Sequence, residues 1–224
     1  IAVVDTGIDG RHEDLNDGRV IKGFASYCQV LSPAVPNDCL VRSVGELAAG
    51  VNSDDNGHGT IVAGIIGAIA NNNKGMAGIN WNVLLMPVKV LDAQGSGLAS
   101  DVAAGLRWAA DNGVSIINLS IGGQGTEGIQ VLQDAIAYAF NKGVLIVAAA
   151  GNDAAVTGGD LNLNPVLPVC ADTAQQNMVI GVAATDQNDF KTGFYNFGKN
   201  CIEVAAPGRR ILSTISHDPI KKIY

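Results

Sequence analysis

Five short, nearly unbroken apolar runs punctuate the chain: IAVVD (1–5), VLLMPVKVL (83–91), VSIINLSI (114–121), VLIVAAA (144–150) and MVIGVAA (178–184). Each has the length and the Val, Ile and Leu content of a strand covered on both faces, as in a parallel sheet. Between them, SDVAAGLRWAADNG and EGIQVLQDAIAYAFNKG read as helices. In the second, Ile129, Leu132, Ile136 and Phe140 recur at helical spacing, which predicts one buried stripe. Both helices stop at a glycine, Gly113 and Gly143, and a strand follows at once. Glycine tolerates the left-handed conformation that closes a helix C-terminus. Helix, glycine, strand, repeated, predicts βαβ crossovers and a parallel sheet, hence an α/β fold.

Two segments depart from this rhythm. TIVAGIIGAIA (60–70) is apolar all round, which predicts a helix buried on every side. Gly64 and Gly67 within it cost about 1 kcal/mol each relative to alanine, an expense consistent with another backbone packed tightly against them. From Phe24 to Asn56 the chain is rich in Pro, Asn and Ser and reads as a loop excursion. No internal repeat or low-complexity tract is present.

Composition narrows the class. The 224 residues suffice for one α/β domain with a substantial core, and 47% hydrophobic against 16% charged residues excludes a disordered chain. No apolar run reaches the roughly 18 residues of a membrane-spanning helix. The net charge of -7 argues against a nucleic-acid partner. The first residues, IAVVD, lack Met and a signal peptide, and the last, HDPIKKIY, are polar, so both ends read as cut. Cys28, Cys39, Cys170 and Cys201 fall as two sequence-local pairs without the C-x-x-C spacing of a zinc or redox site. They read as two disulfides closing surface loops in an oxidising compartment, or as four thiols, two of them buried. Pairing Cys28 with Cys39 closes a short loop containing Pro33 and Pro36.

Sites in open α/β sheets gather beyond the carboxyl ends of the strands. Three polar residues stand there: Asp5 in VVDTGID, Asn152 in VAAAGND, and His58, which opens the apolar helix. Taken singly, Asp5 reads as a ribose or phosphoryl site or a turn cap, and His58 as a cap or a metal ligand. DTG also belongs to aspartic proteases, but their paired carboxylates need two copies and another fold. No two histidines have the i, i+4 spacing of a zinc helix, and His12 and His217 lie in polar stretches expected to be exposed. Asp54 and Asp55 read as a solvated turn. Together, an Asp to orient an imidazole, a His to move a proton and an Asn amide to stabilise an oxyanion are the supporting parts of acyl transfer.

With these motifs in hand, the chain resembles the subtilisin-like serine proteases, or subtilases, over essentially its whole length. VVDTGID resembles the family's aspartate motif, NGHGTIVAG its histidine motif and AAAGN its oxyanion asparagine strand; GSG (95–97), INLSIGG and VAAPG follow in family order. The resemblance implies a three-layer α/β fold, a mostly parallel central sheet with helices on both faces, in one peptidase domain over 1–224. It implies that Asp5 orients His58, that His58 is the general base and acid, and that Asn152 donates to the oxyanion. Gly95, Ser96 and Gly97 on one side and Ser120, Ile121 and Gly122 on the other would bind a peptide as strands. Ala149, Ala150 and Gly151 would line a primary pocket for a sizeable apolar side chain. Asp14, in HEDL, is the candidate ligand of a structural calcium, with the polar loop NNNKG (71–75) as a source of oxygens. No organic cofactor is implied. Polypeptide substrates, a propeptide, a monomeric state and secretion are.

Two departures stand out. Ile61 occupies the position of a second family histidine, which lies outside the triad. No GTSMA-type nucleophile motif occurs before Tyr224, so the serine is expected downstream and the 224 residues alone are expected to be inactive. The competing readings are a pseudoprotease that binds peptides without cutting them, and a phosphoryl-accepting domain built on Asp5, which leaves His58 unexplained.

Overall fold

The computed structural model describes residues 1–29, 41–123, 128–153, 159–173, 176–191 and 193–216. Its frame is one eight-stranded sheet: β1 (Ala2–Asp5), β2 (Gly23–Gln29), β3 (Val41–Leu47), β4 (Met86–Lys89), β5 (Ile116–Leu119), β6 (Leu145–Ala149), β7 (Val179–Thr185) and β8 (Val204–Pro207). The order is β3-β2-β4-β1-β5-β6-β7-β8, and every neighbouring pair is parallel except β2 with β3. Among the described residues three helices accompany it: α1 (His58–Gly67), α2 (Ala99–Asp111) and α3 (Ile129–Asn141). The expected α/β architecture, with helices on both faces, is the one observed.

Strand parity sorts the faces. Successive side chains of a strand point to opposite sides. Ala2 and Val4 of β1 enter the main core with Met86, Val88, Ile117 and Ile146, against Leu106 of α2 and Ile136 of α3. Val3 faces the other way, into a smaller core with Ile8, Leu15, Leu85 and Ala63 of α1. Of the expected stripe on α3, Leu132 and Ile136 are buried with Ala135 and Ala139 beside them, while Ile129 and Phe140 at its ends are only half-buried. Gly113 and Gly143 take the left-handed φ values of 74° and 80° that their places after the helices require.

Two expectations are corrected. The segment 24–56 is not all loop: β2 and β3 form an antiparallel ladder from Gly23↔Leu47 to Gln29↔Val41. β2 escapes an apolar-run search because its buried residues, Gly23, Ala25, Ser26 and Cys28, are small or polar. β3 escapes because it is an exposed edge carrying Arg42 and Glu46, charges that discourage further strand pairing. Nor is α1 buried on every side. Its fully buried residues are the small ones, Gly59, Thr60, Ala63, Gly64 and Gly67, while Ile61, Val62, Ile65 and Ile66 are half-buried. At Gly64 the neighbours are side chains rather than backbone: an added Cβ would lie 2.1 Å from Thr214 Oγ1, whose hydroxyl donates to Thr60 O at 2.7 Å.

Cys170 and Cys201 are joined by a disulfide with Cα atoms 4.8 Å apart, the second of the two expected pairs. Cys39, the expected partner of Cys28, lies outside the described residues, as does His217. His12 is half-buried rather than exposed, its Nδ1 accepting from the Asp14 N–H at 3.1 Å. Among the described residues no helix is long and apolar enough to cross a membrane.

Candidate active site

Parity also aims Asp5. It shares its side of β1 with Val3, the side on which α1 packs, and it is fully buried at the strand's carboxyl end. The Thr6 N–H donates to Asp5 Oδ1 at 2.7 Å. His58 is the first residue of α1, and its Nδ1 lies 2.8 and 2.9 Å from the two Asp5 oxygens. A buried carboxylate accepts only, so Nδ1 carries the proton and donates, leaving a lone pair on Nε2. The His58 side chain is 48% exposed, so the ring spans from the buried carboxylate to open cleft. The hydrogen bond to Asp5 raises the imidazole above its ordinary value; burial opposes this, and the charges of Asp5 and Asp54 reinforce it.

The glycines flanking His58 have distinct reasons. Gly57 holds φ 107°, which a side chain would strain. A Cβ at Gly59 would lie 2.0 Å from the carbonyl oxygen of Gly7, so α1 touches the turn that follows β1 backbone to backbone there. This is the tight backbone approach that the sequence suggested for Gly64 and Gly67; it holds at Gly67, where the Gly78 backbone packs so closely that a Cβ on Gly78 would lie 2.6 Å from Gly67 Cα, and not at Gly64.

Asp54 is not part of a solvated turn. It is 4% exposed and accepts from Thr6 Oγ1 (2.8 Å), Gly57 N (2.8 Å) and Asn56 N (3.1 Å) through Oδ1. Through Oδ2 it accepts from Thr60 N (2.9 Å) and Thr60 Oγ1 (2.5 Å). Thr6 Oγ1 in turn accepts from Gly59 N at 2.9 Å. The carboxylate thus satisfies otherwise unpaired amides at the start of α1 and ties them to the residue after Asp5. The available signal was an Asp just ahead of Asn-Gly and a helix start. Asp55 is half-exposed and accepts from Lys89 Nζ at 2.6 Å, so it too is more than a solvated turn residue.

His58 opens onto a cleft of about 660 Å³. Gly95, Ser96 and Gly97 line one side of it, and Ser120, Ile121 and Gly122 also line it, so both expected peptide-binding segments meet at the histidine's cleft. The first is held by Asp92, whose Oδ1 accepts from Gln94 N and Ser96 N, both at 3.0 Å. A Cβ at Gly97 would lie 2.3 Å from Val90 O. On the second segment, Asn118 Nδ2 donates to Ser120 Oγ at 3.0 Å, and Gly123 N donates to Leu167 O at 3.1 Å. Val102, Ile129 and Leu132 add an apolar floor that sequence reasoning had not assigned.

The remaining expected residues sit elsewhere. Ala149 ends β6, Ala150 is buried, Gly151 holds φ 90° and Asn152 is exposed just beyond. None of these four is among the residues lining the cleft. Asp14 is buried and accepts from Asn72 Nδ2 (2.7 Å) and Met76 N (3.0 Å), so the structure does bring it to the 71–75 loop. That loop closes tightly on it: a Cβ at Gly75 would lie 1.8 Å from Asp14 Oδ2. Among the described residues no three His, Cys, Asp or Glu side chains cluster as a metal site.

A family model described as the subtilase family (Peptidase_S8) matches residues 1–224. The chain is 41% identical over 214 residues to thermitase of Thermoactinomyces vulgaris, covering 96% of this chain and 64% of that protein. It is 39% identical over 216 residues to a thermophilic serine proteinase of Bacillus sp. (strain AK1), covering 96% of this chain and 45% of that one. Among solved structures, a cold-adapted subtilisin-like serine proteinase superposes with a TM-score of 0.69 at 30% identity, over 96% of this chain and 64% of that chain. Fervidolysin from Fervidobacterium pennivorans, a keratinolytic enzyme related to subtilisin, gives 0.72 at 32%, over 97% of this chain and 29% of its own. The chain therefore spans less than two thirds of each of these proteins.

Proposed function

The chain belongs to the subtilase family, and from that membership we propose that it forms the greater part of the peptidase domain of a secreted, monomeric serine endopeptidase. The observation that carries the reading is the Asp5–His58 pair: a buried carboxylate on Nδ1, with the rest of the ring open to a cleft between two peptide-binding segments. The nucleophilic serine is supplied by chain beyond Tyr224. His58 Nε2 takes the serine proton as Oγ bonds to the scissile carbonyl carbon, and Asp5 steadies the imidazolium. The same nitrogen then protonates the leaving amine as the C–N bond breaks, and a water molecule repeats the sequence to release the acyl group. Asn152 donates to the oxyanion, and Ala149, Ala150 and Gly151 shape the primary pocket. The small residues there, and Val102, Ile121 and Leu132 along the cleft, suit polypeptides with bulky apolar side chains. A propeptide precedes the domain.

Calcium binds at Asp14. The fit rests on a buried carboxylate closed over by a polar loop: Asn72 now turns its Nδ2 to Asp14 Oδ1, and rotation of that amide would offer its oxygen, a hard donor, to the ion beside the carboxylate. When bound, the ion clamps this loop and has no part in the acyl transfer.

The test is to express the reading frame continued past Tyr224 and treat it with a fluorophosphonate probe and a chromogenic peptide. A single labelled serine beyond residue 224, with cleavage abolished in His58→Ala, is the expected result. Peptide binding with neither labelling nor cleavage would replace the endopeptidase by a peptide-binding pseudoprotease.

A further inference from the structure

Lys89 is the one basic residue of β4, and it faces away from the main core. Val88 and Val90 point into that core, so Lys89 points to the face on which Asp5 ends β1, and the two residues are register partners. Lys89 is 3% exposed. Its Nζ donates to Thr6 O (2.7 Å), Leu91 O (2.9 Å) and Asp55 Oδ1 (2.6 Å), and lies 4.6 Å from the centre of the Tyr27 ring. An ammonium has three N–H groups, and these acceptors use all of them.

The three acceptors belong to three different parts of the site. Thr6 follows Asp5 and donates its N–H to that carboxylate. Asp55 precedes Asn56, whose Oδ1 accepts from His58 N and whose Nδ2 donates to Ala93 O. Leu91 lines the cleft and leads into the segment ending at Gly97. An apolar side chain would fill this buried strand position without removing a charge from water. Stability of the strand therefore supplies no reason for a lysine, whereas the convergence of these three segments does.

We infer that Lys89 is a positioning residue, whose ammonium fixes the backbone after Asp5, the loop before His58 and the wall starting at Leu91 in one geometry. The imidazole and a bound peptide then meet in register. Loss of that geometry acts on the rate, because misplacement of reacting groups by about 1 Å can cost on the order of 100-fold.

The inference rests on the endopeptidase reading, and the experiment separates the two. In the full-length protein, wild type is assayed first on a chromogenic peptide; failure to cleave counts against the endopeptidase reading itself. With an active wild type, Lys89→Met is expected to lower kcat by about 10- to 100-fold with a smaller change in KM. It is also expected to move or broaden the low-field proton resonance of His58 Nδ1, which a loss of stability alone would leave in place. A folded Lys89→Met with kcat and that resonance unchanged overturns the inference. If Lys89→Met does not fold, Asp55→Asn decides, because it leaves the ammonium on its two carbonyls and alters a half-exposed residue. It should lower kcat by about three- to tenfold, and an unchanged kcat overturns the inference equally.

Discussion

Gly59 and Gly7 meet backbone to backbone, so closely that a methyl group on Gly59 would lie 2.0 Å from the Gly7 carbonyl oxygen. Neither partner can swing aside as a long side chain would. Gly59→Ala should therefore push the start of α1 off the turn that follows β1, destabilise the fold by about 1–3 kcal/mol and separate His58 from Asp5. Thermal denaturation and peptide cleavage of the full-length protein should fall together; a variant with wild-type melting temperature and turnover would contradict the close contact.

The elevated basicity of His58 has two opposite readouts. Catalysis needs the neutral ring, so the acid limb of kcat/KM should lie above the ordinary histidine value of about 6.5. Stability runs the other way. A raised folded-state pKa favours the protonated fold, so its contribution is complete below about pH 6.5 and disappears as pH rises through the raised value. Asp5→Asn, which removes the largest cause, should lower the limb and reduce turnover by about 10⁴-fold through the wrong tautomer. A pH–rate profile with its limb below 6.5 in the wild type would exclude this pairing as the working one.

Asp54 contributes charge as well as scaffolding. Asp54→Asn should shift the acid limb downward, by less than Asp5→Asn, because Asp54 is the last of the causes that raise His58. It should also cost about 1–3 kcal/mol, since an amide nitrogen in place of Oδ2 would face the Thr60 N–H. The pair of measurements is a pH–rate profile and a denaturant titration. An unmoved limb would mean that Asp54 acts on structure alone.

Calcium should raise the melting temperature of the full-length protein by mass action, and a chelator should lower it. Asp14→Ala should abolish that dependence while leaving kcat near its wild-type value in the folded protein. A calcium-dependent melt that survives in Asp14→Ala would place the ion elsewhere.

The sheet and its helices were legible because buried parallel strands are nearly continuous apolar runs and because Gly113 and Gly143 mark the helix ends. Asp5 and His58 were legible as polar residues at a strand end and a helix start, where an apolar pattern breaks. β2 was not, since a strand built from Gly, Ala, Ser and Cys has no hydrophobic run, and β3 has no buried face. In α1 the pattern misled: uniform apolarity suggested uniform burial, whereas small residues take the interior, and at Gly59, Gly64 and Gly67 the neighbours Gly7, Thr214 and Val83 approach too closely for anything larger. Asp54 was read as solvated because a charged pair before Asn-Gly has the composition of a turn. Only the amides that converge on it in three dimensions show why it is buried. Lys89 carried a signal, a lone charge inside an apolar run, whose meaning depends on acceptors distant in the chain.

The central position of β1 has a consequence for how the chain is made. Residues 2–5 leave the ribosome before the strands that flank them, which arrive with residues 86–89 and 116–119. At about 5–20 residues per second, this apolar segment waits on the order of ten seconds for both neighbours. Until then at least one edge of its backbone is unpaired and Val4 lacks core neighbours such as Ile117 and Ile146, although Val3 can already meet Ile8 and Leu15. The nascent chain therefore carries an incompletely paired sticky segment until about the midpoint of these 224 residues, and the site cannot assemble before the middle of the sheet has closed around it.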